Sequence, residues 1–416
     1  MLLKHFQEMM NIFPEVKEVK EFNPTGEYEG IKAITYDGVK TDKGKTKVFA
    51  YIGYPSGAKE RKSLPAVVLV HGGGGEAYLP WVKMWTDKGY VAIAMSTTGD
   101  FPLVINAGMS EQSGVCNDWY HGLCGIFKEE GYVNAPENDE LENSYADVSE
   151  HWLFHAVSQV ILAGNVLRKD SFVDSDKIGI AGISWGGIIT SIAIGYDNRF
   201  AFAVPIYGSG YLLDGMGGIT PKFYLGRNQD FWLAEKRFEY IKMPVLWLCW
   251  NKDLPFSANS NSMSYIDTVK NNKDTRISMV HEMYHCHTNA WWRKEALAFA
   301  DSVCQKGKRF PTVFEVDGTY IIDNPDMADL TVVKLYYITE KMSYKENKDG
   351  LLEMCQDWII EHAECENGKI ICNVTENAVE YYFELTTKLE NDDFEYVTTS
   401  QLFNKTIKNK RRKYYV

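Results

Sequence analysis

Gly182-Ile183-Ser184-Trp185-Gly186 has the pattern G-x-S-x-G. A short apolar run, Ile178–Ala181, precedes it, and a helical segment, Trp185–Tyr196, follows directly. Ser184 is therefore expected on a sharp strand-to-helix turn that lifts its hydroxyl out of the backbone. Glycines suit both flanks because such a turn leaves no room for a Cβ. The helix behind Ser184 would aim its positive N-terminal end at negative charge developing there. A serine that only caps an ordinary helix is the plainer alternative. A serine hydroxyl is a weak nucleophile until a base takes its proton and an acid orients that base.

Where a serine sits on such an elbow, the acid and then the base follow it in chain order, on loops after late strands. Asp253 closes Trp250-Asn251-Lys252-Asp253 at the end of the apolar run Val245–Trp250, which makes it the expected acid. Asp274 and Asp301 are worse placed, one before a strand and one on a helix. The run Ile277–Val280 leads into His281-Glu282-Met283-Tyr284-His285-Cys286-His287. His281 ends its strand too early to reach back, His285 is the favoured base, and His287 is the alternative. The H-x-H spacing lacks a carboxylate or thiolate motif to complete a metal site, so neither metal nor other cofactor is called for. Cys286 reads as a packing residue.

His71-Gly72-Gly73-Gly74-Gly75 follows the first buried strand. Glycines in a row let backbone N–H groups approach a ligand closely, and one such N–H joins that of the residue after the nucleophile in an oxyanion hole. Trp185 is the expected second donor, with Gly73 or Gly74 as the first. A phosphate cradle is the competing use, but no G-x-G-x-x-G or Walker lysine is present. His71 reads as a brace for the loop. Trp81, Trp85, Trp185, Tyr207, Tyr211, Trp250, Trp291 and Trp292 flank these segments; most are expected in the core, and some at a pocket.

The elements that must position these residues alternate. Buried runs at Ala66–Val70, Val91–Met95, Ile178–Ala181, Phe202–Ile206, Val245–Trp250 and Ile277–Val280 read as strands covered on both faces. Helical segments over Trp81–Lys88, Ser144–Lys169 and Trp185–Tyr196 separate them, which predicts a mostly parallel sheet with helices on both faces. A hairpin of Ile31–Tyr36 and Val48–Tyr54 would form its antiparallel edge. Residues of about 99–143 are rich in Gly, Asn and Glu and read as an insertion over the site. Beyond Arg309 come Thr331–Thr339, Trp358–Glu364, Lys369–Val374, Val379–Thr387 and Phe394–Leu402, short strands that suggest a small β-sandwich.

A chain of 416 residues is expected to form two domains. Its net charge of −12 argues against a nucleic-acid partner. Eight cysteines are too few and too scattered for a disulfide scaffold or a zinc motif. The N-terminus lacks the unbroken apolar stretch of a signal peptide, and no run is long enough to span a membrane. A cytoplasmic protein is the expectation. The sequons at Asn373 and Asn404 read as chance, and the basic 408–413 run as a solvated tail.

The segments Val68–Gly75, Trp81–Trp85, Gly89–Met95, Ile178–Gly187, Pro205–Gly210 and Met283–His287 together resemble the acetyl xylan esterase-like branch of the α/β hydrolases, related to dienelactone hydrolases. Met283-Tyr284-His285-Cys286-His287 is similar to the family's Met-Pro-His-Gly-His, with Tyr284 and Cys286 replacing Pro and Gly. Ser96 stands where members commonly have Asp, and the segment around Asp253 is shorter than usual; these departures bear on pocket shape. The family often carries a C-terminal Ig-like sandwich, whose first core strand Val333–Thr339 resembles. The resemblance implies an α/β-hydrolase domain over 1–310, an Ig-like domain over 311–416, and a serine esterase with a Ser184–His285–Asp253 triad. Its partner would be a small-molecule or carbohydrate ester, with neither nucleic acid nor membrane. A serine aminopeptidase-like peptidase and a catalytically silent carbohydrate-binding protein remain alternatives.

Overall fold

The computed structural model describes residues 2–60, 62–102, 124–126, 132–216, 219–341, 343–346, 352–389 and 393–405. Much of the insertion expected at about 99–143 lies outside them, as does the basic run at 408–413. The chain divides into two compact units, Met1–Thr275 with His281–Gly307, and Arg276–Val280 with Lys308–Val416.

The first unit is built on a twisted sheet. Its strands are β1 (Val16–Glu18), β2 (Lys32–Asp37), β3 (Lys47–Gly53), β4 (Leu64–Val70), β5 (Val91–Met95), β6 (Val173–Ile183), β7 (Ala203–Ile206) and β8 (Leu246–Trp250). They lie in the order β1-β2-β3-β5-β4-β6-β7-β8. β1, β2, β3 and β5 pair antiparallel along one side. From β5 across to β8 every pairing is parallel. The N-terminal hairpin is thus the antiparallel margin of a parallel core, and Ala66–Val70 and Val91–Met95 are buried at every position. Continuous apolar runs are what a strand covered on both faces requires.

Helices α1 (Leu2–Met9), α2 (Leu79–Asp87), α3 (Trp152–Lys169) and α4 (Trp185–Ala193) pack around this sheet. Every residue from Trp152 to Leu167 is buried, so α3 has no solvent face. Part of the reason is α1, which lies on it: Phe6 contacts the Phe154 ring, His5 Nε2 lies 3.1 Å from Ser158 Oγ, and Asn165 Nδ2 donates to the carbonyls of Met9 and Ile12. The helix expected from Ser144 begins only at Trp152. The residues before it spend their carbonyls elsewhere: Ser144 O accepts from Arg227 N–H, and Ser149 O from the His155 ring.

The second unit is all β. One sheet joins β9 (Thr312–Val316), β10 (Thr319–Asp323), Lys369–Ile371 and Glu364–Glu366. The other joins Ile359–His362, β11 (Asp329–Ile338), β12 (Glu380–Lys388) and Glu395–Thr399, with Phe403–Asn404 added beside β12. Val313 and Ile370 of the first sheet share a core with Val333, Leu335, Phe383 and Leu385 of the second, which makes the unit a sandwich. Two-residue turns at Asp317-Gly318 and Asn367-Gly368 join paired strands, and all four residues have positive φ. That geometry twists with the strands and favours Asp-Gly and Asn-Gly. Arg276–Val280 counts with this unit: Ser278 Oγ donates to Val397 O and Arg276 Nε to Phe310 O.

Candidate active site

β6 runs straight into α4, and Ser184 occupies the joint at φ 55°, ψ −117°. A non-glycine residue keeps such a backbone only where its surroundings over-determine it. The surroundings here are backbone. A Cβ on Gly182 would lie 2.1 Å from Gly186 O, and one on Gly186 would lie 2.0 Å from Val70 O, so neither position admits a side chain. Ser184 N–H donates to Ile206 O at 2.8 Å, tying the turn to β7. Although Ser184 stands at the helix N-cap, its side chain makes no capping hydrogen bond; it is turned toward a histidine instead.

That histidine is His285, whose Nε2 lies 2.9 Å from Ser184 Oγ. Its Nδ1 lies 2.7 Å from Asp253 Oδ2. With Nδ1 donating to the carboxylate, Nε2 is left to accept the Ser184 proton. Asp253 lies three residues beyond β8 and its side chain has no solvent exposure; its second oxygen accepts from Phe256 N–H at 3.0 Å. Burial opposes a charge on the His285 imidazole, but the adjacent Asp253 carboxylate outweighs it and holds the pKa above the ordinary histidine value.

His287 is placed elsewhere. Its Nε2 accepts from Gly72 N–H at 3.0 Å, and its ring packs against Tyr78 and Trp291. Only one of the two candidate bases therefore meets Ser184; the other backs the glycine loop. His281 faces Asn251, with Nδ1 3.1 Å from Nδ2. Cys286 Sγ accepts from Asn289 N–H at the start of a short helix, His287–Trp292. Asp301 lies on the helix Glu295–Cys304 and accepts from the Tyr90 hydroxyl. Asp274 precedes the strand Arg276–Val280.

The glycine loop is a tight turn closed by Gly75 N–H donating to Gly72 O, with Gly73 and Gly74 at its tip and Gly74 at φ 65°. Gly73 lies under the Trp185 indole, so close that a Cβ would come within 2.5 Å of Cδ1. Trp185 N–H opens α4, in the turn whose N–H groups have no acceptor within the helix. His71 is buried behind the loop: its Nε2 accepts from Thr97 N–H at 3.0 Å, leaving Nδ1 to donate to Gly72 O at 2.7 Å. Burial pushes its pKa down to about 4, so it stays neutral. Trp152 Nε1 donates to Thr97 O and extends the support into α3.

Two residues at the site carried no assigned role in the sequence. Tyr207, the residue after β7, stacks on the His285 imidazole with ring centroids 4.7 Å apart and planes at 22°. Phe256 lies nearly parallel to the same ring at 5.8 Å and 15°. Position just past a buried strand end was the available signal for Tyr207; for Phe256 it was the spacing of three from Asp253, which its N–H uses.

A parallel core sheet, a serine elbow after β6, and an imidazole and carboxylate delivered from later loops define the serine type of α/β-hydrolase. Residues 133–243 match the prolyl oligopeptidase family. The chain is similar to an acetyl xylan esterase from Paenibacillus sp. R4, at 16% identity and a TM-score of 0.51, over 72% of this chain and 93% of that one. It is also similar to dipeptidyl-peptidase 5 of Trichophyton equinum, 26% identical over 168 residues, 37% of this chain and 22% of that protein. The probable dipeptidyl-peptidase 5 of Arthroderma benhamiae is 22% identical over 260 residues, 61% of this chain and 30% of that protein. This chain thus spans less than a third of either peptidase's length. Among the described residues, no helix is long and apolar enough to cross a membrane.

Proposed function

We propose that the chain is a carboxylic ester hydrolase that works through an acyl-enzyme. The observation that carries the reading is the unbroken relay from Asp253 through His285 to Ser184, at 2.7 and 2.9 Å. Ser184 Oγ attacks the ester carbonyl carbon while its proton passes to His285 Nε2. Asp253 keeps the imidazole in the required tautomer and stabilises its charge. The N–H of Trp185, with that of Gly73 or Gly74, receives the oxyanion. His285 then returns the proton to the departing alcohol, and water, deprotonated by the same imidazole, cleaves the acyl-enzyme. The resemblance of Val68–Gly75 and Met283–His287 to the acetyl xylan esterase-like branch supports a short acyl group, with acetylated carbohydrates and small esters as the substrate class. Labelling by a fluorophosphonate, abolished in Ser184→Ala, and turnover of an aryl acetate are the expected results. A protein that neither labels nor turns over would overturn the reading, and would return the silent binding protein.

A second reading is a serine peptidase, which the match of residues 133–243 to the prolyl oligopeptidase family favours. A matched ester and amide of one acyl group separates the two. The ester hydrolase should leave the amide essentially intact, whereas a peptidase should cleave an aminoacyl or dipeptidyl amide at a comparable rate.

A further inference from the structure

Ser184, Asp253 and His285 come from three separate segments, and one fully buried side chain lies where those segments meet. Tyr207 follows β7 directly. The residue before it, Ile206, accepts the N–H of Ser184, and Tyr207 N–H donates to Leu248 O on β8, the strand that leads to Asp253. Its backbone therefore spaces the nucleophile's strand from the acid's strand. Its hydroxyl donates to Tyr284 O at 2.6 Å, and its ring stacks on His285.

The peptide it grips is an unusual one. Tyr284 has φ 48°, and its carbonyl also accepts from Cys286 N–H at 3.0 Å. That bond closes a three-residue turn with His285 at its apex. The imidazole thus projects from a tight bend whose carbonyl is held by Tyr207, while its face rests on the same residue's ring. Tyr207 itself has φ 50°, a conformation kept only where the surroundings demand it.

We propose that Tyr207 is a positioning residue for the base: by gripping the peptide before His285 with its hydroxyl and the imidazole with its ring, it holds Nε2 in line with Ser184 and Nδ1 on Asp253. This rests on the ester-hydrolase reading above. Tyr207 makes or breaks no bond in the reaction and acts only through His285, so its effect belongs in kcat and in the titration of the base.

The test uses the full chain, an aryl acetate, and the variants Tyr207→Phe, which keeps the ring, and Tyr207→Leu, which removes ring and hydroxyl. Active sites are counted by fluorophosphonate labelling, so that rates refer to folded enzyme. Tyr207→Phe should lower kcat per labelled site about tenfold with KM within about twofold, and Tyr207→Leu about a hundredfold. In both, the midpoint of the acid limb of the rate profile should move down toward the ordinary histidine value as the Asp253 contact loosens. A Tyr207→Phe enzyme with wild-type kcat per labelled site and an unmoved limb overturns the proposal, whether or not Tyr207→Leu folds. Wild-type enzyme inert to both label and ester would instead overturn the underlying reading.

Discussion

The loop that carries Ser184 and the loop that carries His285 both hold residues in left-handed backbone, but they do so by different means. At the serine elbow the constraint is main chain against main chain: Gly182 against Gly186 O, Gly186 against Val70 O, and Ser184 N–H on Ile206 O. At the histidine turn the constraint comes from distant side chains, with Tyr207 on the Tyr284 carbonyl and the Asp253 carboxylate on the imidazole. Backbone packing tolerates almost no substitution, whereas a side-chain brace can weaken by degrees. The first should fail abruptly when altered, and the second gradually.

The largest effects should come from the reacting groups, which belong to both loops equally. Ser184→Ala and His285→Ala should each lower turnover of an aryl acetate by on the order of 10^4-fold or more, with native circular dichroism. Asp253→Asn should cost about 10^3- to 10^4-fold by leaving the wrong tautomer. It should also shift the acid limb of the rate profile. The working imidazole is neutral, so activity falls as pH falls through its pKa; with that pKa raised by Asp253, the wild-type midpoint should lie above 6.5. Removing the carboxylate charge should move it down, and a stationary midpoint would deny the coupling.

Gly186→Ala examines the elbow alone. Its new Cβ meets a backbone oxygen that cannot step aside, so a loss of about 1–3 kcal/mol in urea unfolding, together with lost labelling, is expected. Wild-type stability and labelling would show instead that the elbow yields to a Cβ at this position. His287→Ala should do least. It strands the Gly72 N–H, costing about 1–3 kcal/mol of stability, and should lower kcat about tenfold through the oxyanion loop. If His287→Ala is inert while His285→Ala retains activity, the two histidines exchange roles.

The same contrast explains which residues could be read without coordinates. Ser184 was legible because an elbow is a local object, written in consecutive glycines between an apolar strand and a helix. The Asn367-Gly368 turn is local in the same sense, two consecutive residues joining paired strands. His285 and His287 were only partly separable, since both lie on one loop and differ in what comes to meet them: Ser184 for one, Gly72 for the other. Tyr207 was one aromatic among eight for that reason. Ser144 was drawn into the α3 helix because periodicity continues past the point where Arg227 claims its carbonyl.

His71 has a consequence away from chemistry. It is held neutral in the folded chain with a pKa of about 4, while an unfolded histidine titrates near 6.5. Between those two values the unfolded chain binds the extra proton, so stability should decline as the medium is acidified from pH 6.5 to 4. The full displacement corresponds to roughly 3 kcal/mol from this ring. Between pH 7 and pH 5 roughly 2 kcal/mol of it should be lost. Half-buried His5, its pKa also down to about 4, adds to the same trend, so the difference in urea midpoints between wild type and His71→Asn at these two pH values isolates the ring's share. The glycine loop proposed to receive the oxyanion would then be a weak point of the molecule in acid, because both ring nitrogens behind it are already engaged, by Gly72 O and by Thr97 N–H.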